Sequence, residues 1–153
     1  MNLLKVVVWC SLVFASAGVV AMDLVKDGKI EFVIYHEADA PSSIVHAAKD
    51  LQDYCRKVTG CTLPIVDKVA ANMISLGVNS ASKAAGLTAE GIPLEGFAVT
   101  VKDGSVYVLG EDTPDGERCA GGGVSNGTSN GVYTLLEECF GVRWRFPMMD
   151  ETI

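Results

Sequence analysis

The stretch FAVTVKDGSVYVL, residues 97–109, decides the fold. Phe97 to Val101 and Ser105 to Leu109 are rich in β-branched and aromatic residues, and they flank Lys102-Asp103-Gly104. Asp-Gly between two such runs is a strong hairpin signal, because a tight turn that matches the twist of its strands needs positive φ. A hairpin makes its two strands antiparallel. The segments before it alternate between strand-like and helix-like runs, an order that by itself implies parallel strands joined by helices. Together they predict a single α+β (α/β-like) domain, a mixed β-sheet that includes this hairpin and carries two main helices packed on it.

Moving toward the N-terminus, Ser80 to Ala85 reads as a short helix before Gly86, and Asn72 to Gly77 as a buried strand. Leu63-Pro64-Ile65-Val66 fits a strand start, where Pro is tolerated at the first position. From Ser42 or Ser43, the apolar positions Ile44, Val45, Ala47, Ala48, Leu51, Tyr54, Cys55 and Val58 recur every three or four residues. That spacing marks an amphipathic helix, with a serine N-cap and Gly60 as its limits. His46, Lys49, Asp50, Gln52, Asp53, Arg56 and Lys57 form a polar face that reads as solvated. Lys29 to Tyr35 is a further strand, following a turn at Asp27-Gly28. Toward the C-terminus, a loop with seven glycines runs from Gly110 to Gly131. A helix from about Ser129 to Cys139 follows, stopped by Gly141, and Val142 to Phe146 closes with a strand-like run.

The 153-residue chain is 49% hydrophobic and 20% charged, which excludes disorder as its main state and fits one domain. A formal charge of −7 argues against nucleic-acid binding, which needs clustered Lys and Arg. Residues 1–21 have the layout of a secretory signal peptide: Lys5, an uncharged apolar stretch from Val6, and small residues at Ala15, Ala17 and Ala21. The expected location is therefore secreted or periplasmic, with an uncleaved membrane anchor as the alternative. Cleavage after Ala21 leaves 132 residues at net −8. Cys55, Cys61, Cys119 and Cys139 then remain, an even number in an oxidising compartment. They are disulfide candidates, with Cys55–Cys61 and Cys119–Cys139 as one of three pairings and buried free thiols as the competing reading.

Three features invite a chemical reading. Gly121-Gly122-Gly123 ahead of a helix suggests a phosphate cradle, but it matches neither nucleotide-binding glycine pattern. Glu111, Asp112, Asp115 and Glu117 around it would repel phosphate, so a surface loop is expected and no nucleotide cofactor. Glu137-Glu138 and Asp150-Glu151 are paired carboxylates, yet neighbours in sequence do not face one another across a glycosidic bond. There is no Gly-x-Ser-x-Gly elbow, no CxxC pair, and no ligand-like spacing about His36 and His46, so neither a hydrolase triad nor a metal is expected. Arg143 and Trp144, in Gly141-Val142-Arg143-Trp144-Arg145-Phe146-Pro147, are the candidate binding residues: on alternating strand faces they would offer an indole and a guanidinium to a sugar or a domain interface. Asn126-Gly127-Thr128 fits an N-glycosylation acceptor in a eukaryotic host.

The order of motifs is more specific than any one of them. Ala47-Ala48-x-x-Leu51-x-x-Tyr54 precedes Val58-Thr59-Gly60, Leu63-Pro64-Ile65-Val66 and Ser75-Leu76-Gly77. Glu95-Gly96-Phe97, Gly131-Val132-Tyr133-x-x-Leu136-Glu137 and Gly141-Val142-Arg143-Trp144 with Pro147 follow. From Leu24 to Pro147 this series resembles the non-catalytic N-terminal domain that precedes the barrel of bacterial α-glucuronidases and β-N-acetylhexosaminidases. The resemblance implies an accessory domain over residues 22–147 that lies against a catalytic (β/α)8 barrel. Residues 148–153 would be the start of that region, with the barrel encoded downstream. The acid and base belong to the barrel, so no catalytic residue carries over. An Arg-Gly-Thr-Leu-Tyr-Gly-like segment of the family is replaced here by Asn126-Gly127-Thr128-Ser129-Asn130-Gly131, and the family's arginine has no counterpart. The functional expectation is an inactive accessory part of a secreted glycoside hydrolase. A free-standing module that binds polysaccharide or protein is the alternative.

Overall fold

The computed structural model describes residues 25–26 and 29–144. The leader, the Asp27-Gly28 turn, Arg145-Phe146-Pro147 and the acidic tail lie outside them. Ten elements follow in order: β1 (Val25–Lys26), β2 (Lys29–Ile30), β3 (Val33–Tyr35), α1 (Ser42–Thr59), β4 (Ile65–Val66), β5 (Met73–Leu76), α2 (Ser80–Ala84), β6 (Phe97–Lys102), β7 (Ser105–Gly110) and α3 (Gly127–Phe140). β1 and β2 form a small antiparallel pair. The main sheet has the order β4-β3-β5-β7-β6. Its first four strands are parallel, and β6 joins β7 as the antiparallel hairpin, with Val99 opposite Val108. The mixed sheet expected from the 97–109 stretch is therefore present, and Asp103 and Gly104 take the positive φ of its turn.

Alternation along the strands sorts the core into two layers. Ile34, Ile74, Leu76, Val106 and Val108 face α1 and α3, meeting Ile44, Ala47, Ala48, Leu51, Val132 and Leu136. Tyr35, Met73, Tyr107 and Leu109 face the other way, toward Ala81 of α2 and the segment holding Leu87 and Ile92. The two main helices thus share one face, and the short helix covers part of the other.

Four local readings are corrected. Lys29 to Tyr35 is not one strand: at Glu31-Phe32 the chain stops pairing with β1 and begins pairing with β4 and β5. α1 has no serine cap. Pro41 holds the cap position, and the Ser42 N–H and hydroxyl donate instead to the Asp115 carboxylate, 73 residues on, at 2.7–3.1 Å. Val58 is 45% exposed in the last turn of α1, outside the stripe made by Ile44, Leu51 and Cys55. Residues 142–144 are not a strand, because the chain leaves α3 through Gly141 in the left-handed region and wraps back, Val142 N–H bonding Leu136 O.

α3 begins two residues earlier than its apolar pattern does, because its first residue docks backbone to backbone. Gly127 N–H donates to Glu111 O at 3.0 Å, and a Cβ on Gly127 would collide with Gly96 O and crowd Glu111. Gly110 is equally closed, since its Cβ would strike Gly127 and Thr128. Gly121, in contrast, has open space around it and an ordinary φ. Gly127→Ala is expected to cost about 3 kcal/mol or to prevent folding, whereas Gly121→Ala stays within about 0.5 kcal/mol of the parent. Urea denaturation of the two variants measures this, and equal midpoints would contradict it.

The four cysteines among the described residues, Cys55, Cys61, Cys119 and Cys139, stand as free thiols in the structure. Cys55 points into the α1 core and is 1% exposed, whereas Cys119 lies 3.0 Å from Thr113 Oγ1 in the glycine-rich loop. Burial pushes the Cys55 thiol up to about 12, leaving almost no thiolate at neutral pH. Alkylation of the native protein with iodoacetamide should therefore leave Cys55 unmodified until denaturant is added, as peptide mass spectrometry would report. Early labelling of Cys55 would contradict that placement.

Candidate functional site

Open α/β sheets place ligands outside the carboxyl ends of their parallel strands. Here the protein's own carboxylates occupy that edge. After β3, Glu37 accepts the Ser80 N–H of α2 at 2.7 Å. After β7, Asp112 accepts the Thr128 N–H of α3 at 3.0 Å together with the Thr128 hydroxyl. Asp115, farther along the same loop, caps α1. Three helix N-termini, each an electropositive set of N–H groups that would draw an anion, are thus neutralised internally. The Ser80 backbone and side-chain bonds hold the Glu37 carboxyl below its usual range, and the Ser42 hydroxyl and N–H do the same for Asp115. Asp112 moves the other way: burial raises it, and its bonds to Thr128 only partly offset that.

The glycine-rich segment makes no cradle. Gly122 N–H donates to Cys119 O at 2.8 Å, Cys119 N–H to Gly123 O at 2.9 Å, and the Arg118 guanidinium to Gly122 O at 2.7 Å. The turn thus spends donors on itself. Among the described residues, no three His, Cys, Asp or Glu side chains gather as a metal ion would require. Glu137 and Glu138 are consecutive residues of α3, and Asp150-Glu151 lies outside the described residues.

A different surface gathers aromatic side chains. α1 and α3 pack side by side, and Tyr54 of the first and Tyr133 of the second emerge along their seam. The turn at Gly141 brings Trp144 onto both. Its ring lies 4.9 Å from that of Tyr54 and 5.4 Å from that of Tyr133, at interplanar angles of 77° and 81°. These are the edge-to-face arrangements that aromatic quadrupoles favour. Trp144 nevertheless stays 43% exposed. Lys57 Nζ sits 4.4 Å from the Tyr54 ring centre, a cation–π contact, and the next residue is exposed Val58. The Tyr133 hydroxyl donates to Asp50 Oδ2 at 2.9 Å. Among the described residues, Lys57 and Asp50 border the resulting aromatic patch.

Of the two binding candidates, only Trp144 belongs to this patch. Arg143 turns back and donates to Glu137 O and Val142 O at 3.0 Å, closing the carbonyl end of α3. It is a helix-end residue, because the segment is a wrapped turn whose successive side chains do not alternate as in a strand. No protein-family model matches the sequence, nor does any curated protein at a significant level. Tyr54, Tyr133, Asp50 and Lys57 carry no site signal of their own. Tyr54 and Tyr133 lie within the ordered motifs, but their meeting at Trp144 depends on how α1 and α3 pack. Asp50 and Gln52, assigned to a solvated face, are half-buried and bonded, Gln52 to Leu63 O at 2.6 Å.

Burial first, and then the bond to Asp50 and its charge, push the Tyr133 phenol up to about 12. Because the folded state favours the protonated phenol, this contact stabilises the protein below pH ~10, and its contribution is lost as pH rises toward 12. Tyr133→Phe should delete the last step of the tyrosinate absorbance titration and lower stability by about 1 kcal/mol. A late step that persists in the variant would contradict the assignment.

Proposed function

We propose that this chain is the non-catalytic accessory domain of a secreted carbohydrate-active enzyme of the glycoside-hydrolase type. In this reading residues 1–21 direct export, and the domain works beside a separate catalytic (β/α)8 barrel that it meets through the aromatic patch. One observation carries the reading. Residues of three of the ordered motifs, distant in sequence, converge on the α1–α3 side: Ala47, Ala48, Leu51, Val132 and Leu136 fully buried beneath, and Tyr54, Tyr133 and Trp144 grouped above. The carboxyl edge adds support, because an anionic or neutral substrate finds three helix N-termini there already occupied. An exposed patch of this composition is what an interface core uses, with aromatic anchors and a thin charged rim.

The purified mature chain should release no reducing sugar from glucuronoxylan or chitin fragments. The adjoining DNA should encode a barrel that co-purifies with it, and Trp144→Ala should weaken that association about tenfold or more. Turnover by the chain alone, or adjoining DNA without such a frame, would overturn the reading. A second reading, a polysaccharide-binding module, draws on the exposure of Trp144 beside Asp50, since an indole stacks on a sugar ring while a carboxylate bonds its hydroxyls. Calorimetry separates the two: heat with the fragments that Trp144→Ala abolishes supports the module, and its absence removes it.

A further inference from the structure

The two edges of the main sheet are treated differently. β4 forms one edge and is blunted in the usual ways, being two residues long and directly preceded by Pro64. β6 forms the other and is six residues long, with the sequence FAVTVK. Among the described residues β7 lies on one side of it and no strand lies on the other. β6 has no proline, no bulge in its register with β7, and no charge before Lys102 at its end. An undefended edge of this kind is a template for another strand.

The register identifies which groups are free. Glu111 N–H bonds Gly96 O, extending the β6–β7 ladder by one pair. In an antiparallel ladder hydrogen-bonded pairs alternate, so Ala98, Thr100 and Lys102 turn their backbone groups toward β7. Phe97, Val99 and Val101 turn theirs outward. Among the described residues, three N–H and three C=O groups thus stand without a strand partner along one edge, at alternate residues. Phe97 is 37% exposed, Val99 and Val101 are half-buried, and Ala98 is exposed on the opposite face.

We propose that β6 pairs with β6 of a second copy of this chain, antiparallel about a two-fold axis at Val99, joining two five-stranded sheets into one of ten strands. This register places Phe97 opposite Val101 and Val99 opposite Val99, so every outward donor meets an outward acceptor. It extends the half-buried apolar ridge of Phe97, Val99 and Val101 across the axis. It also sets Lys102 opposite the uncharged Gly96 at both ends of the ribbon, so no like charges meet within the paired strands. A one-residue slip would set inward-bonded residues against outward ones and lose the ladder. An isologous contact of this kind closes on itself and leaves no edge for further growth at β6. The α1–α3 patch lies on a helical face and does not enter the pairing, so the dimer and the proposed function stand or fall separately.

In this register Ala98 and Thr100 of opposite copies face each other in non-hydrogen-bonded pairs, the closer kind, with side chains off the apolar ridge. Sedimentation analysis of the mature chain should show a dimer at tens of micromolar. The double variant Ala98→Glu/Thr100→Glu sets like charges opposite at both positions and should weaken dimerisation roughly tenfold or more. Ala98→Lys/Thr100→Glu sets unlike charges there and should dimerise at least as well as the parent. Amide exchange of Phe97, Val99 and Val101 in the unsubstituted chain should slow as concentration rises, a readout independent of how the variants fold. A parent that stays monomeric, a dimer indifferent to both substitutions, or exchange at these three amides that ignores concentration would each overturn the pairing.

Discussion

The contact on which the rest of the structure depends is a place where side chains are missing. At Gly110 and Gly127 the backbones of Gly96, Gly110-Glu111 and Gly127-Thr128 approach more closely than a Cβ would allow. That approach seats the start of α3 against the end of the hairpin. The Gly127 N–H bonds Glu111, Asp112 reaches the next residue, and the direction of α3 is set before any of its apolar residues pack. From that direction Val132 and Leu136 fall over Val108 and against α1, and Tyr133 falls beside Tyr54. The aromatic patch is thus a downstream result of a glycine contact at the far end of the same helix.

This dependence explains what the sequence disclosed and what it withheld. The hairpin was legible because its determinants are local: a turn pair between two β-branched runs. α1 was legible because its apolar stripe repeats over eighteen residues and ends at a glycine able to adopt positive φ. The start of α3 was not, because Gly127 and Thr128 read as loop residues until the backbone they touch is known. The cap of α1 was hidden for a similar reason: a serine beside a helix start has the local signature of a cap, whereas the group that does the work is an aspartate 73 residues away. The binding candidates divided on the same ground. Trp144 reached a surface cluster that no spacing rule connects, and Arg143, its neighbour, became a helix terminator because the chain curled instead of extending.

The loop between β7 and α3 shows how acidic residues can remove a function that glycine invites. Helix N-termini at the carboxyl edge of a parallel sheet attract anions, and a glycine-rich approach would let phosphate come close. Asp112, Asp115 and Glu37 supply that negative charge from within. The edge becomes a set of internal clamps that tie loops to helices. Asp112 is the most constrained of the three. Burial works against its charge, and the Thr128 hydroxyl and N–H offset that only in part.

The strand order also fixes what synthesis from the N-terminus can accomplish. β3, β4 and β5 come first, yet they make only one side of the sheet, and the strand that covers the open flank of β5 is β7, made some thirty residues later. α1, complete by Thr59, lacks its cap until Asp115 follows β7. The N-terminal half is therefore an unfinished sheet with a bare parallel edge and an uncapped helix, and it gains both missing parts from one arriving segment. The sheet is completed from its β4 side toward β6, so a break in the chain between Gly104 and Gly127 would part the early strands and α1 from the segment that finishes them.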